Sequence, residues 1–239
     1  VLLTGVELDE IREYTRTAED SKAGSPSKKR LYSEIVKGGH EPSYHRPGIY
    51  PIRPNLHMMM ANHEYGFSPI DVRDVTRATM QARKEVNAIV AEIKNAGGVW
   101  KNLQMVATGE QIGTREGRRI HGLYNVDRSD IMKGAEFEDA VCRVTFGVDV
   151  HSVSKEDEKK GEGYSQGIRA KDYDIPLRSL IAKDVGALMM AGRNISGDFF
   201  AHSSYRVTGN AVPMGQAAGR TAAIAAQKNM LPQDVPWKQ

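Results

Sequence analysis

Residues Asp174–Gln227 read DIPLRSLIAKDVGALMMAGRNISGDFFAHSSYRVTGNAVPMGQAAGRTAAIAAQ, and this stretch decides the fold class. The apolar run Ala187–Ala191 has the length of a buried strand and ends in Gly192 and Arg193. Pro213 then suits the first turn of a helix, where its missing N–H costs nothing. The small residues that follow let another group approach closely, and first-turn amides stabilise partial negative charge. Strand and helix therefore predict two walls of a cofactor slot, although tight helix–sheet packing would favour the same residues.

The composition is that of a globular protein. The 239 residues include 33 Lys and Arg and 30 Asp and Glu, a net charge of +3 without a basic patch, so nucleic-acid binding is not expected. This length predicts one large domain or two unequal ones. Apolar runs are strand-sized, whereas a membrane span needs about 18 to 20 residues, so no membrane association is expected. The single cysteine, Cys142, excludes an intrachain disulfide and favours a reducing compartment, so we expect a cytoplasmic protein.

Local patterns predict the elements of the first half. Helical spacing of apolar residues indicates helices, and dense prolines exclude them. A polar stretch with Ser, Gly and Pro indicates a loop. We predict a short helix at Glu7–Ala18, an exposed loop at Glu19–Arg30, an extended segment at Ser43–Asn55, a strand at His57–His63 and a long helix from Asp71 to Gly97.

The second half is predicted in the same way. Its elements are a strand at Leu103–Ala107, a hairpin-like region through Arg115–Arg119 and Gly122–Val126, a helix at Arg128–Ala140, a strand at Val141–Val150, a charged surface loop or lid at Ser154–Gly167, the strand Ala187–Ala191 and the helix from Pro213 to about Lys228. Helices and strands alternate, so the sequence predicts an α/β or α+β fold.

Several motifs resemble one known family. They are IPLRSL at Ile175–Leu180, AGR at Ala191–Arg193, MGQAAG at Met214–Gly219, IGTRE at Ile112–Glu116 and VDVH at Val148–His151. Together they resemble the FAD-dependent oxidoreductase family of the glutathione-reductase-like flavoprotein superfamily. The resemblance implies an α+β substrate domain at residues 1–108 and the C-terminal part of a Rossmann-like FAD-binding domain at residues 109–239.

The resemblance covers the C-terminal half of such flavoproteins. Their N-terminal strand–GxGxxG–helix unit binds the ADP half of FAD, and this sequence contains no GxGxxG. The chain also opens at Val1 without an initiator methionine, which fits either a processed protein or a fragment. We therefore expect a missing N-terminal half, or another chain, to complete FAD binding.

The resemblance also implies cofactor-binding residues. Gly192 and Arg193 would border the ribityl-phosphate side of FAD. The amides at the helix start would face the pyrimidine edge of the flavin, where positive potential stabilises the reduced form. These amides belong to Met214, Gly215, Gln216 and Ala217. Plain packing is the alternative for all six residues.

Four residues are candidates for catalysis. Arg115 could clamp a substrate carboxylate or polarise a carbonyl, or it could instead form a structural ion pair with Glu116 or Asp130. His202, in the same loop as Arg206, could remove a proton from the substrate. The remaining candidate is His151 of the VDVH motif, and a structural role is the alternative for each histidine.

No metal site is expected. His57 and His63 flank a short strand and would share a face, but no third ligand lies at metal-binding spacing.

The predicted function is hydride transfer from a small polar organic substrate to flavin N5. The rival interpretation is a non-catalytic subunit that needs an N-terminal partner to bind FAD. A hydrolytic or carbohydrate-binding module would need a paired-carboxylate site, which the sequence does not indicate. We also expect an oligomer or a pairing with another chain, because the Ala187–Ala191 strand would otherwise lack sheet neighbours.

Overall fold

A computed structural model describes residues 1–151, 154, 156–157, 165 and 167–237. The chain divides into two compact units: Val1–Thr114 forms the first, and most described residues from Arg115 onward form the second. Both units contain helices and strands, which confirms the mixed α/β prediction. The assignment of residues 1–108 to substrate binding and 109–239 to FAD binding stays a prediction. The predicted loop Ser154–Gly167 lies mostly outside the described residues.

The first unit contains a four-stranded sheet in the order β2-β3-β1-β4, with every neighbouring pair antiparallel. Its strands are β1 (Leu2–Thr4), β2 (Gly48–Arg53), β3 (Leu56–Met60) and β4 (Gln104–Ala107). Strand β2 is an edge strand, which is why it can contain Pro51. Along β3 the side chains alternate, so His57 and Met59 are buried. The predicted extended segment and strand are therefore confirmed.

Within Val1–Thr114 the first unit contains the helices α1 (Leu8–Ile11), α2 (Ala18–Lys22), α3 (Pro26–Lys37) and α4 (Val72–Ala96). Helix α4 confirms the long predicted helix. The Asp71 carboxylate accepts a hydrogen bond from the Arg73 N–H at its start, and Gly97 ends it with a φ of 75°. Its buried face carries Ala78, Val86, Ile89, Val90 and Ile93.

The exposed loop predicted at Glu19–Arg30 is wrong, because α2 and the start of α3 occupy it. Asp20 explains the compact geometry: its carboxylate accepts hydrogen bonds from the N–H and the hydroxyl of Ser27, and it pairs with Arg16. Ser25 turns the chain between the helices with a φ of 65°. Pro26 then begins α3, so this proline starts a helix instead of interrupting one.

The second unit contains α5 (Arg128–Lys133), β5 (Ala140–Val144), β6 (Tyr173–Pro176), α6 (Phe199–Tyr205) and α7 (Thr208–Lys228). Strands β5 and β6 pair antiparallel, with Cys142 opposite Ile175. Helix α7 packs on β5, and Cys142 lies in the buried apolar core, as expected of a small hydrophobic residue.

Three predictions for the second unit are wrong. The hairpin-like region forms only single bridges, from Gly122 to Ala182 and from Val126 to Gly197. The helix predicted from Arg128 stops at Lys133, because Gly134 takes a φ of 73°. No strand forms at Ala187–Ala191, where Ala187 has a φ of 59°. The expectation of an oligomer therefore loses the argument from this strand and stays a prediction.

A pair of carboxyl groups joins two loops of the first unit to helix α4. Glu85 of α4 accepts hydrogen bonds from the N–H and the hydroxyl of Ser43, at 2.6 and 2.8 Å. The amide of Asn62 donates to Glu64 and to the backbone oxygen of Ala82, both at 3.2 Å. Burial, and then the charge of Glu85, raise the pKa of Glu64 to about 7.

The Glu64 carboxyl group makes the stability of the first unit depend on pH. Its folded pKa of about 7 exceeds the ordinary 4.5, so stability falls as pH rises between these values. We expect Glu64→Gln to match the wild type at about pH 4 and to exceed its free energy of unfolding by about 1 to 2 kcal/mol at pH 8, after solvent screening is allowed for. Urea unfolding at both pH values measures this.

The exposed Glu13 provides the control, since its side chain is 59% exposed. Glu13→Gln should keep the wild-type dependence on pH. An equal slope in Glu64→Gln and in the wild type would contradict the assignment to Glu64.

Candidate functional site

The site is built around the short helix α6 and the turn into α7. Asp198 begins α6: its carboxylate accepts hydrogen bonds from the N–H groups of Ala201 and Arg128, both at 2.8 Å. Two side chains of this segment are buried: His202 lies inside α6, and Arg206 directly follows it. The His202 side chain is 1% exposed and the Arg206 side chain is 7% exposed.

Glu116 joins Arg206 and His202. The Arg206 guanidinium donates a hydrogen bond to Glu116 Oε1 at 2.7 Å, and His202 Nδ1 lies 3.5 Å from the same oxygen. The contact with His202, with help from Arg206, holds the pKa of Glu116 below its usual range despite partial burial. Glu116 is therefore ionised at neutral pH and neutralises the buried arginine.

Asp149 and His151 form the adjoining part of the site. His151 Nε2 lies 3.3 Å from Asp149 Oδ2, and this contact holds the pKa of Asp149 below its usual range. The guanidinium of Arg206 also donates to the backbone oxygen of Asp149, at 2.5 Å. Arg206 therefore connects the IGTRE segment, the VDVH segment and helix α6.

The structure thus brings together His151, His202 and Arg206 through two acidic residues that the sequence analysis did not propose for the site. Those residues are Glu116, considered only as a partner for Arg115, and Asp149. Both lie inside quoted motifs, so the motifs contained the signal. What the sequence lacked was the pairing, which spans 90 residues from Glu116 to Arg206.

His202 has hydrogen-bonding capacity left over. Neither ring nitrogen makes a hydrogen bond within the described part of the chain, although the ring is buried. The ring packs edge-on against Tyr205, with centroids 5.5 Å apart. A buried polar group without a partner is costly, so a ligand that offered one would be favoured here.

The structural ion pair considered for Arg115 does not form. Glu116 pairs with Arg206 instead, and Asp130 accepts hydrogen bonds from the Tyr124 hydroxyl at 3.0 Å. Arg115 itself is half-buried.

The predicted start of the last helix is wrong. Helix α7 begins at Thr208, and Pro213 lies inside it. The amides of the four residues from Met214 to Ala217 therefore lie beyond the first turn, and these residues do not share a face. Met214 and Ala217 are buried, whereas Gly215 and Gln216 are exposed. Sequence reasoning placed the start at Pro213, because proline marks first turns more often than helix interiors.

The AGR segment nevertheless lies beside the first turn of α7. Gly192 has a φ of 71°, and a Cβ added to it would come within 3.3 Å of the Ala211 Cβ. Gly215 follows Ala211 by one helical turn, on the same face, and an added Cβ there meets no heavy atom within 4 Å. Arg193, next to Gly192, is exposed. Helix α7 therefore has unoccupied space at Gly215, one turn beyond its contact with the AGR segment.

A separate cleft of about 640 Å³ lies elsewhere in the second unit. Its walls include Phe137, Arg178 and Trp237, and none of the predicted site residues lines it. Arg178 is already held there by Asp139, at 2.9 and 3.1 Å, and lies over the ring of Tyr124. The cleft is therefore not the site that the motifs predict.

Two further structural findings concern the described residues alone. No helix among them combines the length and apolar character required to cross a membrane. Nor does any group of three or more His, Cys, Asp or Glu residues in this part of the chain have an arrangement that could hold a metal ion.

Comparison with protein families identifies the chain. A family model described as FAD dependent oxidoreductase matches residues 5–239. The chain therefore belongs to the FAD-dependent oxidoreductase family: it is an oxidoreductase, and its cofactor is FAD. Searches of curated proteins and of solved structures found no match.

The Glu116–Arg206 pair should stabilise the second unit. We expect Glu116→Gln to lower its free energy of unfolding by about 2 kcal/mol, because the buried guanidinium of Arg206 loses its carboxylate partner. The loss is smaller than for a fully buried pair, since the Glu116 side chain is 41% exposed. The exposed Glu138 offers a control, since Glu138→Gln should change stability by less than about 0.5 kcal/mol. Urea unfolding measures both variants, and equal losses in the two would contradict the pairing.

Proposed function

We propose that this chain oxidises a small polar organic substrate, using FAD as the hydride acceptor at flavin N5. The observation that carries the proposal is the cluster around Arg206, which joins the buried His202, whose Nε2 makes no hydrogen bond in the described part of the chain, to two motifs shared with the family. A concentration of charge beside a buried histidine is typical of a catalytic site.

The chain's own residues fit the cofactor beside the first turn of α7. Gly192 and Arg193 would border the ribityl phosphate, as the family resemblance implies. The first-turn residues Thr208 and Gly209, in place of the interior amides, would face the pyrimidine edge with the positive end of the helix dipole. Gly215 leaves open space for a flat group one turn further on.

The catalytic roles follow from burial and pairing. His202 would accept a proton from a hydroxyl or amine of the substrate through Nε2, because this nitrogen has no hydrogen-bond partner among the described residues whereas Nδ1 faces Glu116. Arg115 would orient the substrate. Arg206 and Glu116 would hold the ring of His202 in place, and His151 with Asp149 would complete the charged wall.

The division of labour between the two units is also part of the proposal. Residues 1–108 would form a substrate domain, and residues 109–239 would complete a Rossmann-like FAD-binding domain as in the C-terminal half of such flavoproteins. Because the sequence contains no GxGxxG, the ADP half of FAD would be bound by a dinucleotide-binding segment that precedes this chain or lies on another one. Cytoplasmic location and association with such a partner belong to the same proposal.

A non-catalytic role is the second candidate, favoured by the same lack of a phosphate-binding loop. An absorbance spectrum distinguishes the two. The enzyme should show a flavin absorbance band at about 450 nm, either alone or after the dinucleotide-binding polypeptide has been added. This band should bleach when substrate is added. A protein that stays colourless in both conditions would favour the non-catalytic role.

The proton-acceptor role of His202 makes a kinetic prediction. We expect His202→Gln to slow flavin bleaching by about 100-fold or more while flavin uptake is unchanged, because proton removal is lost but the cofactor contacts remain. His121 provides the control, since it is 84% exposed and pairs with the exposed Asp184. Equal bleaching rates in His202→Gln and His121→Gln would exclude His202 as the base.

The proposed position of the cofactor predicts that a substitution at Gly215 stabilises the fold but weakens FAD uptake. We expect Gly215→Ala to raise the free energy of unfolding by about 0.5 to 1 kcal/mol, because alanine favours the helix and the space is open. The same methyl group should weaken FAD uptake by about ten-fold, as it would occupy the space of the flavin. Gly186→Ala, also in open space, is the control, and unchanged FAD uptake in Gly215→Ala would move the cofactor elsewhere.

A further inference from the structure

One ring nitrogen of His202 faces a carboxylate in a place that solvent does not reach. Nδ1 lies 3.5 Å from Oε1 of Glu116, and the His202 side chain is only 1% exposed. Both ring nitrogens are buried, and neither makes a hydrogen bond within the described part of the chain. Glu116 is therefore a charged group that acts on Nδ1 at short range, and the burial of the ring limits screening by water.

Arg206 holds this carboxylate in place. One terminal nitrogen of Arg206 donates to Glu116 Oε1 at 2.7 Å, and the other donates to the backbone oxygen of Asp149. The backbone links the same arginine to the ring, since the Arg206 N–H donates to the backbone oxygen of His202 at 3.1 Å. Beside this cation Glu116 stays ionised at neutral pH, so its oxygens offer lone pairs and no proton.

The carboxylate favours one of the two neutral forms of the His202 ring. A neutral imidazole carries its single proton either on Nδ1 or on Nε2. With the proton on Nε2, the lone pair of Nδ1 would face the negative charge of Glu116. With the proton on Nδ1, the N–H dipole points toward that charge, and the interaction is attractive. Nε2 makes no hydrogen bond with any described residue, so none of them opposes this preference through Nε2.

We propose that Glu116 is a positioning residue: it keeps the proton of the neutral His202 ring on Nδ1, so that Nε2 presents its lone pair. Arg206 supports this role, because it fixes Oε1 of Glu116 from the helical turn that also carries His202. The preferred form of the ring follows from the fold alone. Its use in catalysis rests on the proposed function, in which His202 accepts a proton from the substrate.

A lone pair on Nε2 restricts the substrate to one kind of reacting group. A carbonyl or ether oxygen has no proton to donate to Nε2, whereas a hydroxyl or an amine has one. In the proposed reaction the O–H or N–H bond of the substrate breaks and an Nε2–H bond forms, while a hydride leaves the carbon that bears this group for FAD. The substrate thereby loses two electrons and becomes a carbonyl compound or an imine. The ring of His202 then carries a positive charge, which Glu116 stabilises through Nδ1–H.

Nitrogen NMR of the full chain tests the proposal without FAD. In a chain labelled with ¹⁵N-histidine, a ring nitrogen that carries a proton resonates far from one that carries a lone pair, and His202→Gln identifies the His202 signals by their loss. Spectra are recorded at rising pH until the ring is neutral. The wild type should then carry its proton on Nδ1. A proton on Nε2 of the neutral wild-type ring would overturn the proposal, whichever variants fold.

Two substitutions separate Glu116 from other carboxylates. Glu116→Gln removes the charge and offers Nδ1 either a donor or an acceptor, so the Nδ1–H form should no longer dominate. The exposed Glu138 is the matched control, and Glu138→Gln should keep the wild-type signals of His202. An unchanged Nδ1–H form in folded Glu116→Gln would mean that another feature of the fold positions the proton, and it would overturn the role of Glu116.

Flavin bleaching keeps this inference and the proposed function apart. With flavin uptake unchanged, Glu116→Gln should bleach at least about ten-fold more slowly, because both the lone pair at Nε2 and the charge that stabilises the protonated ring are diminished. A wild-type rate in this variant, once the Nδ1–H form has been lost, would refute the catalytic use of that form. An Nδ1–H form in a protein that never takes up FAD would support the role of Glu116 and refute the proposed function alone.

Discussion

The buried guanidinium of Arg206 is the constraint on which the rest of the site depends. A charge that is 7% exposed has to be neutralised within the protein, and Glu116 does this at 2.7 Å. The second contact, to the backbone of Asp149, fixes the end of the VDVH segment against the same side chain. One arginine thereby holds together three segments that are distant in the chain, and it brings His202 and His151 into one site.

The position of the last helix also depends on one residue, Gly192. Its first turn can lie against the AGR segment only because Gly192 adopts a left-handed conformation and leaves room for Ala211. The bare face that continues at Gly215 results from the same small residues that made this stretch of sequence resemble a flavoprotein. The motif therefore reflects a packing requirement, and the same small residues would serve the proposed cofactor site, which is why spacing alone did not separate the two.

Prediction from the sequence succeeded where a local pattern was both long and periodic. Helix α4 was predicted from its cap to its final glycine, and strand β3 lies within the strand predicted at His57–His63. It failed where tertiary contacts decided the backbone. Asp20 joins residues that look like a loop into two helices. Ala187–Ala191 is apolar enough for a strand but forms a single bridge, between Met189 and Ile181, instead of a ladder. Of the site, sequence analysis named Arg115, His151, His202 and Arg206, but not the pairs that the last three make.

The sequence by itself determined the family, the mixture of helices and strands, and the residue types available for chemistry, because each of these is written in short motifs and local periodicity. The tertiary structure alone decided which charges meet. Ion pairs such as Glu116–Arg206 join residues 90 positions apart, and no local pattern records such a separation. It also decided where α7 begins, since the first turn at Thr208 precedes the proline that local preference would place there. Burial and long-range electrostatics act only once the chain is folded, and they left Arg115 without a partner among the described residues.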